Sequence, residues 1–105
     1  MSVICKRISN DQALISLSGE FDKNNISLFK NKVLDLLSEK VLTIRVNLSE
    51  LDFIDAPGIG VFIAVFISLN EIGGEIILEN AQVHINDLIE ATQITRYITL
   101  ISKEG

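Results

Sequence analysis

The chain has 105 residues, enough for one compact domain and too few for two ordinary ones, so residues 1–105 are expected to form a single unit. Hydrophobic residues make up 48% and charged residues 22%, which supports a packed core and gives no sign of disorder. A formal net charge of -5 argues against nucleic acid as partner, because neutralising phosphates requires clustered Lys and Arg.

Two short strands open the chain, Val3 to Ile8 and Ala13 to Ser18, separated by the polar turn Ser9-Asn10-Asp11. In the second, Ala13, Ile15 and Leu17 alternate with polar positions, the period of a half-buried strand. Gly19-Glu20-Phe21-Asp22 is then expected to leave the sheet. After it the period lengthens: Ile26, Phe29, Val33, Leu36 and Leu37 recur at three- and four-residue steps. That is an amphipathic helix, with Asn24 or Asn25 as its N-cap candidate. Ile44, Val46 and Leu48 alternate again in "VLTIRVNLSELDFID", a third strand rich in β-branched residues.

The segment "DAPGIGVFIAVFISLNEIGG" follows. Pro57 fits the first turn of a helix, where its missing N–H would be unpaired anyway, and Asp55 is the better N-cap chemically and electrostatically. Gly73-Gly74 should end this helix. "EIILEN" reads as a fourth strand, "VHINDLIEAT" as a third helix and "RYITLIS" as a last strand. The order β-β-α-β-α-β-α-β implies an α/β fold: a mixed sheet of about five strands with right-handed βαβ crossovers.

Little in the sequence supports catalysis or a cofactor. Cys5 is the single cysteine, in a strand, so it reads as a packed, inert thiol and a disulfide within the chain is excluded. His84 is the single histidine and lacks neighbouring ligands, so no metal site is expected. Gly58-Ile59-Gly60 begins like a dinucleotide loop, but Ile63 stands at the third glycine's position and the fingerprint fails. Asp52 and Asp55 read as turn and cap residues. No cofactor and no enzyme activity are expected. The start has no secretory h-region, and "VFIAVFI" falls far short of a membrane span, so a cytoplasmic setting is expected. The helix after Pro57 is unusual in being apolar around its whole circumference, with Val61, Phe62, Ile63, Val65, Phe66, Ile67 and Leu69. Such a helix is covered on every side, by its own fold or by another molecule. Phe62 and Phe66 are therefore candidates for a homo-oligomer surface.

The succession "GEFD", "VNLSELDFIDAPGIGVF", "GGEIILEN" and "LIEATQITRYI" resembles the STAS domain of bacterial anti-sigma-factor antagonists, over nearly the whole chain. The resemblance implies a mixed sheet with helices packed on one face. It also implies a partner, an anti-sigma factor that is a serine kinase, or a related regulatory protein. In that family the partner phosphorylates a Ser or Thr at the start of the second helix, which ends docking. Asp55, Gly58 and Gly60 match the family's corner, and Asp22 matches an acidic residue near it. The implied partner-binding set is Asp22, Asp55, Ala56, Pro57, Gly58, Ile59 and Gly60. Two hydroxyl residues are replaced by Ala56 and Pro57, and Pro57 occupies the phosphoacceptor position, so phosphorylation there is excluded by chemistry. Asn47 stands where Asp is common, and "ISKEG" leaves no room for the family's closing helix. The leading expectation is a regulatory binding module; the alternatives are a STAS subunit of a transporter-associated or multi-protein signalling assembly, or a small-ligand sensor.

Overall fold

The computed structural model describes residues 1–101. Strands β1 (Ser2–Arg7) and β2 (Gln12–Phe21) form an antiparallel hairpin. They are followed by α1 (Ile26–Ser38), β3 (Thr43–Ile54), α2 (Ala56–Glu71), β4 (Glu75–Glu79), α3 (Val83–Ala91), a 3-10 turn (Ile94–Arg96) and β5 (Thr99–Ile101). The five strands lie side by side in chain order, and every pair after the hairpin is parallel. The closing helix that the resemblance raised would follow Ile101 and lies outside the described residues.

Alternation decides which face of the sheet takes the helices. Ala13 pairs with Ile44 and Ile44 with Ile76; Ile15 pairs with Val46 and Val46 with Leu78. Parallel partners share a face, so these apolar side chains form one continuous surface, and all six are buried. Phe29, Val33 and Leu36 of α1, Val61, Phe62, Val65 and Leu69 of α2, and Ile85 and Ile89 of α3 close over it in a single core. The opposite face keeps its polar residues. There Arg45 donates two hydrogen bonds to the buried Glu79 carboxylate, Nε to Oε1 at 2.6 Å and Nη2 to Oε2 at 2.9 Å, a two-pronged pairing that satisfies both carboxylate oxygens.

The segment "GEF" does not leave the sheet after Ser18. Gly19, Glu20 and Phe21 pair with Leu51, Phe53 and Ile54, with register shifts between Ser16 and Ser18 and again between Gly19 and Glu20. Gly19 turns at φ +87°, a conformation that glycine adopts without the steric cost of a Cβ. β3 supplies the extra residue at both shifts and bends, so Leu48, Leu51 and Ile54 all reach the core although their spacing is three.

Phe62 is a core residue, and its expected place on an oligomer surface is overturned. Its ring is fully buried, 5.4 Å from Phe21 and 5.6 Å from Phe29 between centroids, with Phe21 and Phe29 also 5.4 Å apart. These tilted and edge-on contacts join the end of β2 to α1 and α2, the geometry that aromatic quadrupoles favour. Phe66 is half-buried, 6.0 Å from Tyr97. Asn25 also differs from expectation. It occupies the N-cap position of α1, but its amide oxygen accepts no helix N–H; the side chain is held through Nδ2, which donates to the Glu20 carbonyl and to Asp22 Oδ1. Cys5 lies half-buried on the helix side of the sheet. Burial pushes its thiol pKa up, ahead of the opposing pull of Lys32.

β4 pairs with β3 only as far as Asn47, so the outer edge of β3 beyond that point needs other partners. The start of α3 supplies them. Gln82 Nε2 lies 3.2 Å from the Ser49 carbonyl, 3.0 Å from that of Leu51 and 3.3 Å from Asp52 Oδ1. His84 Nε2 lies 2.7 Å from the Asp52 carbonyl and therefore carries the ring proton. Replacing Gln82 with Leu, similar in size but without a donor, should cost about 1–2 kcal/mol in urea unfolding.

Two glycines of α2 should behave oppositely. A Cβ on Gly58 would sit 2.7 Å from the Phe21 carbonyl oxygen and 2.9 Å from Ile54 Cγ1, whereas one on Gly60 would meet nothing within 4 Å. Gly58→Ala should destabilise by about 1–3 kcal/mol, and Gly60→Ala should stabilise by about 0.5–1 kcal/mol, both read from denaturation midpoints.

Candidate functional site

The corner between β3 and α2 is built around one carboxylate. Asp55 is the N-cap of α2, extended at φ −104° and ψ 178°, and its Oδ1 accepts the Gly58 N–H at 2.9 Å. Its Oδ2 accepts the Lys23 N–H at 3.1 Å, and its own N–H donates to the Phe21 carbonyl at 3.3 Å. One side chain thus satisfies an otherwise unpaired donor at the helix start and fastens the loop after β2 against it. Gly58 makes this approach possible, because any side chain there would collide with the β2 backbone. The N-cap role expected of Asp55 is what the geometry gives.

Asp22 stands beside this corner without touching Asp55. Its Oδ1 accepts the Asn24 N–H at 2.9 Å and Asn25 Nδ2 at 3.2 Å, holding the turn that presents Lys23 N–H to Asp55. It acts on the corner through its neighbour's backbone. Of the residues matched to the family's motif, Gly58 and Ile59 face inward and are buried. Ala56, Pro57 and Gly60 are exposed, and Asp55 is half-buried. The fully exposed residues of the corner are therefore small and uncharged. Pro57 lies in the first turn of α2, where its fixed φ suits the helix and its lost N–H breaks no helical bond.

Phe53 went unnoticed in the sequence. It leaves 45% of its surface exposed two residues before Asp55, beside the paired end of β2. The residues from Ala56 to Asn70 contain no charged side chain, so the outer side of α2 carries no charge of its own. On that side Ile63 is 39% and Ile67 53% exposed. Among the described residues, no three His, Cys, Asp or Glu side chains gather closely enough to hold a metal ion. No helix among them is long and apolar enough to cross a membrane.

The STAS domain model matches residues 4–105. An anti-sigma-B factor antagonist of Bacillus subtilis (strain 168) is 26% identical over 103 residues, covering 98% of this chain and 93% of the relative. Among solved structures, the unphosphorylated form of the anti-sigma factor antagonist SpoIIAA superposes with a TM-score of 0.77 at 19% identity, covering 99% of this chain and 90% of that one. An anti-sigma factor antagonist from Mycobacterium paratuberculosis reaches 0.84 at 15% identity, over 95% and 84%. At such identities the superpositions establish a common fold. The five-stranded mixed sheet, the helix-start corner and the family match over nearly the full length lead to one conclusion: the chain belongs to the STAS domain family.

Proposed function

We propose that this protein is a non-enzymatic regulatory module that docks through the Asp55–Gly60 corner onto an anti-sigma factor kinase or a related regulatory protein. The single observation that carries this reading is the division of labour within the corner. Asp55 and Gly58 are committed to its shape, while Ala56, Pro57 and Gly60 present an uncharged, accessible edge. Relatives named as anti-sigma-B factor antagonists supply the class of partner.

Pro57 sets this chain apart within that reading. A phosphate placed at a helix start adds close to two negative charges, which a docked interface would have to desolvate. Free of the partner, the helix N-terminus would tolerate the same group. Proline offers no oxygen to phosphorylate, so docking here is governed by the amounts of the two proteins and not by modification of this edge. The module works in the cytoplasm, where such partners act.

The test uses the anti-sigma kinase from the same genome. Wild-type protein should bind it both before and after incubation with kinase and ATP, and should carry no phosphate between residues 55 and 60. Gly60→Lys should weaken binding by tenfold or more, about 1.4 kcal/mol, with an unchanged fold by circular dichroism. Phosphate at this corner, or full affinity in the Gly60→Lys variant, would overturn the reading.

A further inference from the structure

The outer side of α2 does not meet solvent as a plain convex surface. Between it and the segment that follows α3 lies an open cavity of about 470 Å³. Ile63, Phe66 and Ile67 form one wall, and the other mixes Ile94, Tyr97 and Ile98 with three polar or charged residues. The groove on the opposite flank of α2, against α1, holds only about 70 Å³. A volume of several hundred cubic ångströms lies within the roughly 300–1,000 Å³ range of small-molecule sites, which are likewise mostly apolar with few polar groups.

Charge narrows the occupant. Arg96 is the single charged residue lining the cavity, and no Asp or Glu lines it, although acidic residues outnumber basic ones 14 to 9 in the chain. Among the described residues, ion pairs form between Arg7 and Glu39 and between Arg45 and Glu79; Arg96 takes part in neither. The groove therefore combines a mostly apolar bed, with Thr92 and Gln93 at its polar side, and one cation that pairs with no carboxylate among the described residues. We propose that it binds a single-chain amphiphile with an anionic head, of the type of a medium-chain fatty-acid carboxylate. The hydrocarbon lies along Ile63 and Ile67 and under the Phe66–Tyr97 aromatic pair, and the carboxylate meets the Arg96 guanidinium, whose planar fork suits it. Tyr97, 68% exposed, gains a neighbour on its bare face. This site is separate from the docking corner, and the proposal does not depend on it.

Octanoate, decanoate and dodecanoate, each below its aggregation concentration, are titrated into the full chain by calorimetry and by amide NMR, with dodecanol as the uncharged control. Binding should be one to one and perturb Ile63, Ile67 and Tyr97. It should strengthen about fourfold per added methylene until the cavity is filled. Both Arg96 and Ile67 are exposed, so their variants should keep the fold, which circular dichroism verifies. Arg96→Glu should weaken dodecanoate by roughly tenfold or more and leave dodecanol unchanged. Ile67→Glu should abolish dodecanoate binding. The proposal is overturned by an absence of saturable binding, by equal affinity for dodecanoate in wild type and Arg96→Glu, or by perturbations located elsewhere. It is equally overturned if sedimentation shows a wild-type dimer that Ile67→Glu dissolves, since the groove then belongs to a second copy.

Discussion

The Asp55 carboxylate is the constraint on which the corner depends. It holds two backbone donors, one from Lys23 after β2, 32 positions before it, and one from Gly58 in the first turn of α2, 3 positions after it. Without that double acceptance the helix start would lose its cap and the β2 loop its anchor, and the Phe21 carbonyl would no longer lie against Gly58. The aromatic cluster of Phe21, Phe29 and Phe62 ties the end of β2 to α2 from the core side and adds α1. Hydrogen bonds set the direction in which α2 leaves the sheet, and burial supplies most of the energy that keeps it there.

Much of this was legible in the sequence because the governing forces are local and periodic. The alternation in Ala13–Leu17 and Ile44–Leu48, the three- and four-residue steps from Ile26 to Leu37, and the Asp-Ala-Pro-Gly start of α2 each report a local preference that the fold respects. The misreadings share a cause. Gly19 looked like an exit because glycine ends strands as often as it bends them, and only pairing with β3 decides between the two. Asn25 does take the N-cap position, but Glu20 and Asp22 hold its side chain through Nδ2 and its amide oxygen reaches no helix N–H.

The long-range contacts were the least legible. Nothing local marks Gln82 and His84 as the partners of β3 carbonyls 30 or more positions earlier. Phe62 and Phe66 look alike in an all-apolar helix, and which of them faces Phe21 depends on how the sheet presents itself. The apolar circumference of α2 was visible from the start, but its division into a core side, a small edge near the corner and a groove beside Tyr97 exists only in three dimensions.

The spatial order of the strands repeats their order in the chain. Each new βα unit therefore adds to the free edge of a sheet that the ribosome has already delivered, and no strand must be threaded between two that are already paired. Assembly can thus follow synthesis from the hairpin outward, one edge at a time, and a nascent chain released after β3 already holds the sheet's most heavily bonded interface.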